Sequence, residues 1–114
     1  MDREELIARL KENPNYKAEL EKEVRYFKGG EEYYRKDPAL YYFAGLAGQE
    51  WRRLEGLLSQ IEHLKSVIEQ EIAEAKASEE YHKMYGFSLY IADMAREEWK
   101  RLERLLEETG LATA

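Results

Sequence analysis

Four glutamates occupy positions where an amphipathic helix is expected to be apolar. Glu50 lies three residues after Ala47 and four before Leu54, so its carboxylate shares a helix face with those apolar side chains. Three further glutamates have the same spacing to apolar neighbours, and the full set is Glu23, Glu50, Glu71 and Glu98. Because a buried carboxylate without a partner is costly, these side chains need protons, arginine partners or metal cations.

An internal repeat relates the four glutamates in pairs. Residues 20–60 align without gaps with residues 68–108, and about sixteen of the forty-one aligned pairs are identical. EWRRLEGLL in the first copy matches EWKRLERLL in the second, with a tryptophan directly after each glutamate. The repeat aligns Glu23 with Glu71, and Glu50 with Glu98. It predicts two copies of one helical hairpin, each with a carboxylate on both helices.

Local signals predict where the helices begin and end. Asn13-Pro14 and Asp37-Pro38 are typical helix starts, with a capping side chain before a proline at the first helical position. Asp2 caps a short leader helix, and the last helix is expected to stop at Thr109-Gly110. The predicted single domain over 1–114 comprises an accessory helix (1–13), a first hairpin (14–60), a second hairpin (61–110) and a tail (111–114).

The junction between the two copies has two interpretations. Ser59 followed by Glu62 forms a capping-box pattern, which favours a turn and a compact four-helix bundle within one chain. However, neither Gly nor Pro occurs between Leu57 and Tyr85, so one helix from Pro38 to about residue 84 is the alternative. We favour the turn. A continuous helix would separate the hairpins and require a second chain to complete the core.

Composition excludes several classes of function. The chain has no cysteine, which removes disulfides, thiolate metal sites and cysteine nucleophiles. The net charge of −6 argues against nucleic acid as a partner, because phosphate binding needs a basic face. No apolar run approaches the roughly 18 residues of a membrane span, so we expect no membrane partner and a cytoplasmic location.

The repeat resembles the rubrerythrin and ferritin-like superfamily. DPALYYFAGLAGQEWRRLEGLL is similar to the second helix of that family and FSLYIADMAREEWKRLERLL to the fourth, so the resemblance covers residues 16–109. It implies an all-α, ferritin-like antiparallel four-helix bundle built from a duplicated hairpin, plus a short N-terminal helix. In that family four glutamates and two histidines hold two irons or manganeses. The implied metal ligands here are Glu23, Glu50, Glu71 and Glu98.

The paired motif departs from the family at the histidines. Arg53 and Arg101 stand where the family has histidine, and arginine does not ligate metals. Three interpretations remain open. The four glutamates alone bind an iron or manganese pair; or Glu–Arg networks replace the metal; or some glutamates are solvated while Trp51 and Trp99 take the core positions. Glu79-x-x-His82 also has metal-ligand spacing, although a surface histidine is the better interpretation there.

Two functions are therefore expected. The first is a di-iron or di-manganese protein of oxidase, peroxide-handling or metal-storage type. The alternative is a metal-free structural or protein-interaction bundle with buried Glu–Arg networks. In either case we expect a homodimer or higher oligomer.

Overall fold

Four α-helices form almost all of the computed structural model, which describes residues 1–86 and 89–112. They are α1 (Arg3–Glu12), α2 (Tyr16–Arg35), α3 (Tyr41–Tyr85) and α4 (Leu89–Glu108), with a 3-10 turn at Pro38–Leu40 before α3. No strand occurs in the described ranges, which confirms the all-α prediction. Within those same ranges, no helix combines the length and apolarity needed to cross a bilayer.

Several helix ends follow the local sequence signals, but the predicted start at Asn13-Pro14 is displaced, because α2 begins at Tyr16 after Asn15. The Asp2 side chain accepts a hydrogen bond from the backbone N–H of Glu5 at 2.8 Å, as a capping residue should. The Asp37 side chain accepts from the backbone N–H of Ala39, although the proline after it opens a 3-10 turn. Gly110 has φ +75° just beyond α4, a conformation that favours glycine. Helix α3 ends at Tyr85, directly before Gly86, whose φ of +74° also favours glycine. Residues 87–88 lie outside the described ranges.

The predicted turn at Ser59 is wrong, because α3 runs unbroken from Tyr41 to Tyr85. Its buried side chains stay at helical spacing straight through the junction: Leu54, Ile61, Leu64, Ile68 and Ile72. A single helix cap typically contributes about 1 kcal/mol. Because neither Gly nor Pro occurs between Leu57 and Tyr85, the helix continues there without the penalty that either residue would impose. The alternative of one continuous helix is therefore confirmed.

The chain divides into two compact units. We call Asn15–Glu62 the hairpin unit, since it consists of α2 and the first part of α3. We call Met1–Pro14 with His63–Ala114 the terminal unit, since it contains α1, the second part of α3, and α4. The core of the hairpin unit is formed by buried apolar side chains at Leu20, Val24, Ala44, Ala47, Leu54 and Ile61.

Helix α1 forms part of the core of the terminal unit. Its Leu6 and Leu10 are buried, and Leu10 is completely inaccessible to solvent. The turn after α1 contacts the turn after α4, where a Cβ at Gly110 would collide with the backbone oxygen of Pro14. Lys11 also forms an ion pair with Glu108 at 3.5 Å. These contacts join the two ends of the terminal unit.

Candidate functional site

The four predicted ligands lie as two pairs, one in each unit. Glu23 of α2 and Glu50 of α3 line the same open cleft in the hairpin unit. Glu71 of α3 and Glu98 of α4 belong to the terminal unit. The hydrogen bond from Arg101 lowers the pKa of Glu98, and the negative charge of nearby Glu71 opposes this in part. Each unit thus brings one carboxylate from each of its two repeat helices together, as the repeat predicts.

An arginine on the same helix binds each motif glutamate. Arg53 donates from Nε and Nη2 to the two oxygens of Glu50, at 3.2 and 2.5 Å. Arg101 donates to Glu98 in the same way, at 3.2 and 2.7 Å. These hydrogen bonds lower the pKa of both carboxyl groups, so both are ionised at neutral pH. Each arginine therefore binds both carboxylate oxygens, which are the atoms that would otherwise coordinate a metal ion.

The Glu–Arg pairs are exposed rather than buried. The side chains of Arg53 and Arg101 are 60% and 57% accessible to solvent. Exposed pairs of this kind contribute little to stability, because water competes for both charges. The pairs neutralise the carboxylates locally without anchoring the core.

Glu71 is bound by an arginine from a different helix, α1. Arg3 of α1 donates from Nη1 and Nη2 to the two oxygens of Glu71, at 2.8 and 3.0 Å. This bidentate contact lowers the pKa of Glu71. No local signal pointed to it, because the two residues are separated by most of the chain. Its counterpart Glu23 is exposed, on the face that lines the cleft.

A second pair of carboxylates has a structural role that recurs in both copies. The indole Nε1 of Trp51 donates to Glu31 at 3.4 Å, and that of Trp99 donates to Glu79 at 2.9 Å. A lysine covers each indole at 4.7 Å from the ring centre: Lys28 over Trp51, and Lys76 over Trp99. The sequence signal for these contacts was the identity of the Lys, Glu and Trp residues at equivalent positions of the two copies, which the repeat alignment contains.

Glu79 is the most buried carboxylate of the set, with 7% of its surface accessible. Besides the indole of Trp99, it has Lys83 Nζ and Arg96 Nε at 3.2 and 3.4 Å. The hydrogen bond from Trp99 lowers the pKa of Glu79, and the neighbouring cations add to the effect. His82 contacts the backbone oxygen of Ser78 at 2.7 Å through Nδ1. Glu79 and His82 thus have different partners, despite their metal-ligand spacing.

The donor set tests how well the residues fit a metal pair. Within residues 1–86 and 89–112, no three His, Asp or Glu side chains are grouped so as to hold a metal ion. The carboxylates of Glu50, Glu71 and Glu98 each bind an arginine through both oxygens. Within one chain this arrangement suits charge pairing better than coordination. Comparisons with protein-family models, curated proteins and solved structures found no match.

Replacing Glu79 by Gln is expected to reduce the loss of stability in acid. The lowered pKa means that the ionised carboxylate stabilises the fold above the pKa of an unfolded glutamate. That contribution is lost as the pH falls through the lower folded-state pKa. The measurement is the free energy of unfolding in urea at several values between about pH 3 and pH 7.

Glu80→Gln is the matched control, because Glu80 is adjacent and exposed. It should keep the pH dependence of the parent. An E79Q variant whose unfolding free energy varies with pH as steeply as that of the parent would contradict the assigned role of Glu79.

Proposed function

We propose that this protein is an assembly module whose helical hairpins bind other helices through exposed apolar faces. The observation that carries the proposal is that both copies of the repeat expose large apolar side chains at the same positions. The five equivalent pairs are Tyr33 with Tyr81, Tyr41 with Leu89, Tyr42 with Tyr90, Phe43 with Ile91, and Leu46 with Met94. Each of these side chains is at least 44% accessible to solvent.

Exposed apolar side chains at this density favour a binding role. Single exposed apolar residues are common on soluble proteins, but contiguous apolar patches usually mark interaction sites. Tyrosine suits such surfaces, because its ring is apolar while its hydroxyl can remain hydrated. Since the pattern recurs in both copies, it belongs to the repeat unit rather than to one accidental patch.

The arginines support assembly over metal chemistry. Arg53 and Arg101 neutralise Glu50 and Glu98 on their own helices, so these carboxylates need no cation for charge balance. Arg3 does the same for Glu71. The resemblance to the ferritin-like superfamily then concerns architecture. In this proposal the antiparallel four-helix bundle forms between chains, since α3 continues through the junction.

Metal binding is the second candidate function. It is favoured by the cleft in the hairpin unit, where Glu23 and Glu50 converge from two helices. Carboxylate oxygens suit hard cations, and Fe(II) or Mn(II) are the cations that the resemblance implies. In this candidate function, Glu23, Glu50, Glu71 and Glu98 supply the ligands, two from each unit.

One thermal unfolding experiment separates the two candidates. For an assembly module, the melting temperature rises with protein concentration and stays constant on addition of Mn(II) or anaerobic Fe(II). For a metal protein, added cation raises it instead. Metal content after purification from supplemented medium provides the second readout, and the assembly proposal expects less than about 0.2 metal per chain.

The control for cation effects is a pair of variants. Glu23→Gln with Glu50→Gln removes the two predicted ligands among the three carboxylates that line the cleft. Glu21→Gln removes an exposed carboxylate from the same helix as Glu23. A metal-induced stabilisation that is lost in the first variant and kept in the second would overturn the assembly proposal.

A further inference from the structure

One face of the hairpin unit carries a groove between α2 and α3. We call it the groove face, and its lining comprises Tyr26, Phe27, Tyr34, Phe43, Leu46, Ala47, Gln49, Glu50 and Arg53. The groove has a volume of about 570 Å³. Tyr26, Phe43 and Leu46 are 75%, 48% and 45% accessible to solvent. An apolar groove is therefore exposed between two helices that are long enough to pack against further helices.

The second copy of the repeat does not present the same face. At the positions of Tyr26, Phe27 and Tyr34, the aligned residues are polar or small: Glu74, Ala75 and His82. The terminal unit also contains α1, whose Arg3 binds the counterpart of Glu23. The copies have thus diverged. The second copy lies in a unit with a third helix, α1, while the first copy has an aromatic groove on a two-helix unit.

We infer that the groove face binds the groove face of a second copy of this chain. Two hairpins related by a two-fold axis form a four-helix bundle, the smallest common arrangement in which helical hairpins enclose a core. The inference rests on the proposed assembly function and names its partner.

The available area suits a second copy. Tyr26, Phe43 and Leu46 are exposed, whereas Phe27 and Tyr34 are already partly buried. Their remaining exposed surface together with the polar rim approaches the roughly 800 Å² per partner of a standard interface. Because the interface is isologous, each chain supplies the same ridges and the same groove. The Glu50–Arg53 pair on α3 lines the groove already neutralised, which lowers the cost of bringing it into the contact.

Glu23 sets the charge balance of this interface. Glu23 lies in the neighbouring cleft, which shares Tyr26, Phe27 and Glu50 with the groove face. Together the two surfaces carry three carboxylates against two cations, Lys22 and Arg53, and Arg53 also interacts electrostatically with Glu23. In a two-fold dimer, like charges from both chains therefore meet at the same level and oppose association. Replacing Glu23 by Gln is expected to tighten the dimer by about two- to fivefold in Kd.

Sedimentation equilibrium of the full chain between about 1 and 100 µM tests the inference. We expect a reversible dimer for the parent, and at least about tenfold weaker association for Phe43→Glu with Leu46→Glu. Met84→Glu is the control, because Met84 is 78% exposed and lies outside the five repeated pairs, and this variant should dimerise like the parent. Ile91→Glu with Met94→Glu probes the equivalent face of the second copy.

Tyr26→Glu gives a second variant that cannot disturb the core, because this side chain is 75% exposed. Circular dichroism establishes that each variant is folded. A parent that stays monomeric at 100 µM overturns the inference, as does undiminished dimerisation of both groove-face variants. An oligomer that dissociates only in the Ile91/Met94 variant also overturns the groove-face inference, but it is compatible with the assembly function. Metal-dependent stabilisation would overturn the assembly function itself.

Discussion

Gln60→Pro is expected to destabilise the protein by about 3 kcal/mol or more, because position 60 lies inside α3. Proline there removes one helical hydrogen bond, and its ring collides with the carbonyl of Gly56, four residues earlier. Gln60 is exposed, so the substitution affects the backbone and removes no packing contact. If Ser59 instead capped a new helix, position 60 would be its first residue, where proline is favoured.

The unfolding free energy of the variant in urea provides the measurement, with helical circular dichroism as the signal. Gln60→Ala is the control, and we expect it to be neutral or slightly stabilising, since alanine favours helix. A proline variant as stable as the parent would restore the turn and the bundle within one chain. The outcome therefore also bears on whether a second chain is needed.

Leu10→Ala is expected to destabilise the terminal unit by about 2–5 kcal/mol. Leu10 is fully inaccessible, so its truncation removes apolar contacts and leaves a cavity. The effect tests whether α1 forms part of the core or is a dispensable leader. Arg3 and Lys11 flank it with ion pairs to Glu71 and Glu108, but exposed pairs cannot replace a core leucine.

Leu89→Ala is the matched control, because Leu89 is 60% exposed and sits in the first turn of α4. We expect its unfolding free energy to stay within about 0.5 kcal/mol of the parent. Equal effects of the two substitutions on the urea midpoint would show that α1 does not pack as described.

The internal repeat made much of the candidate site predictable. Identical residues at equivalent positions form equivalent contacts, as with Glu50–Arg53 and Glu98–Arg101. The Arg three residues after each Glu sits on the same helix face, so this pairing follows from helix geometry alone. The caps at Asp2 and Asp37 are local in the same way, because a side chain two or three residues from a backbone N–H needs no other partner.

At the junction between the two copies, a local start signal was outweighed by the longer apolar pattern. The Ser59/Glu62 pattern is a real start signal, but the apolar spacing of Leu54, Ile61 and Ile68 continues through it. Periodicity over several turns outweighs one cap, since every added turn buries more apolar surface. The apolar spacing of the sequence therefore indicated the continuous helix, although its strongest local signal, the capping box, indicated a turn.

Only the tertiary structure decided which carboxylates are buried and which partners they have. Glu50 and Glu98 share a face with apolar residues, yet Glu50 is only half-buried and Glu98 is exposed, each beside its arginine. Glu79, in contrast, is buried against Trp99. Arg3 reaches Glu71 across most of the chain length. Helix geometry, caps and repeats depend on neighbours within a few turns, so the sequence alone determined them. Burial and charge pairing between helices depend on which faces meet, and only the folded chain determines that.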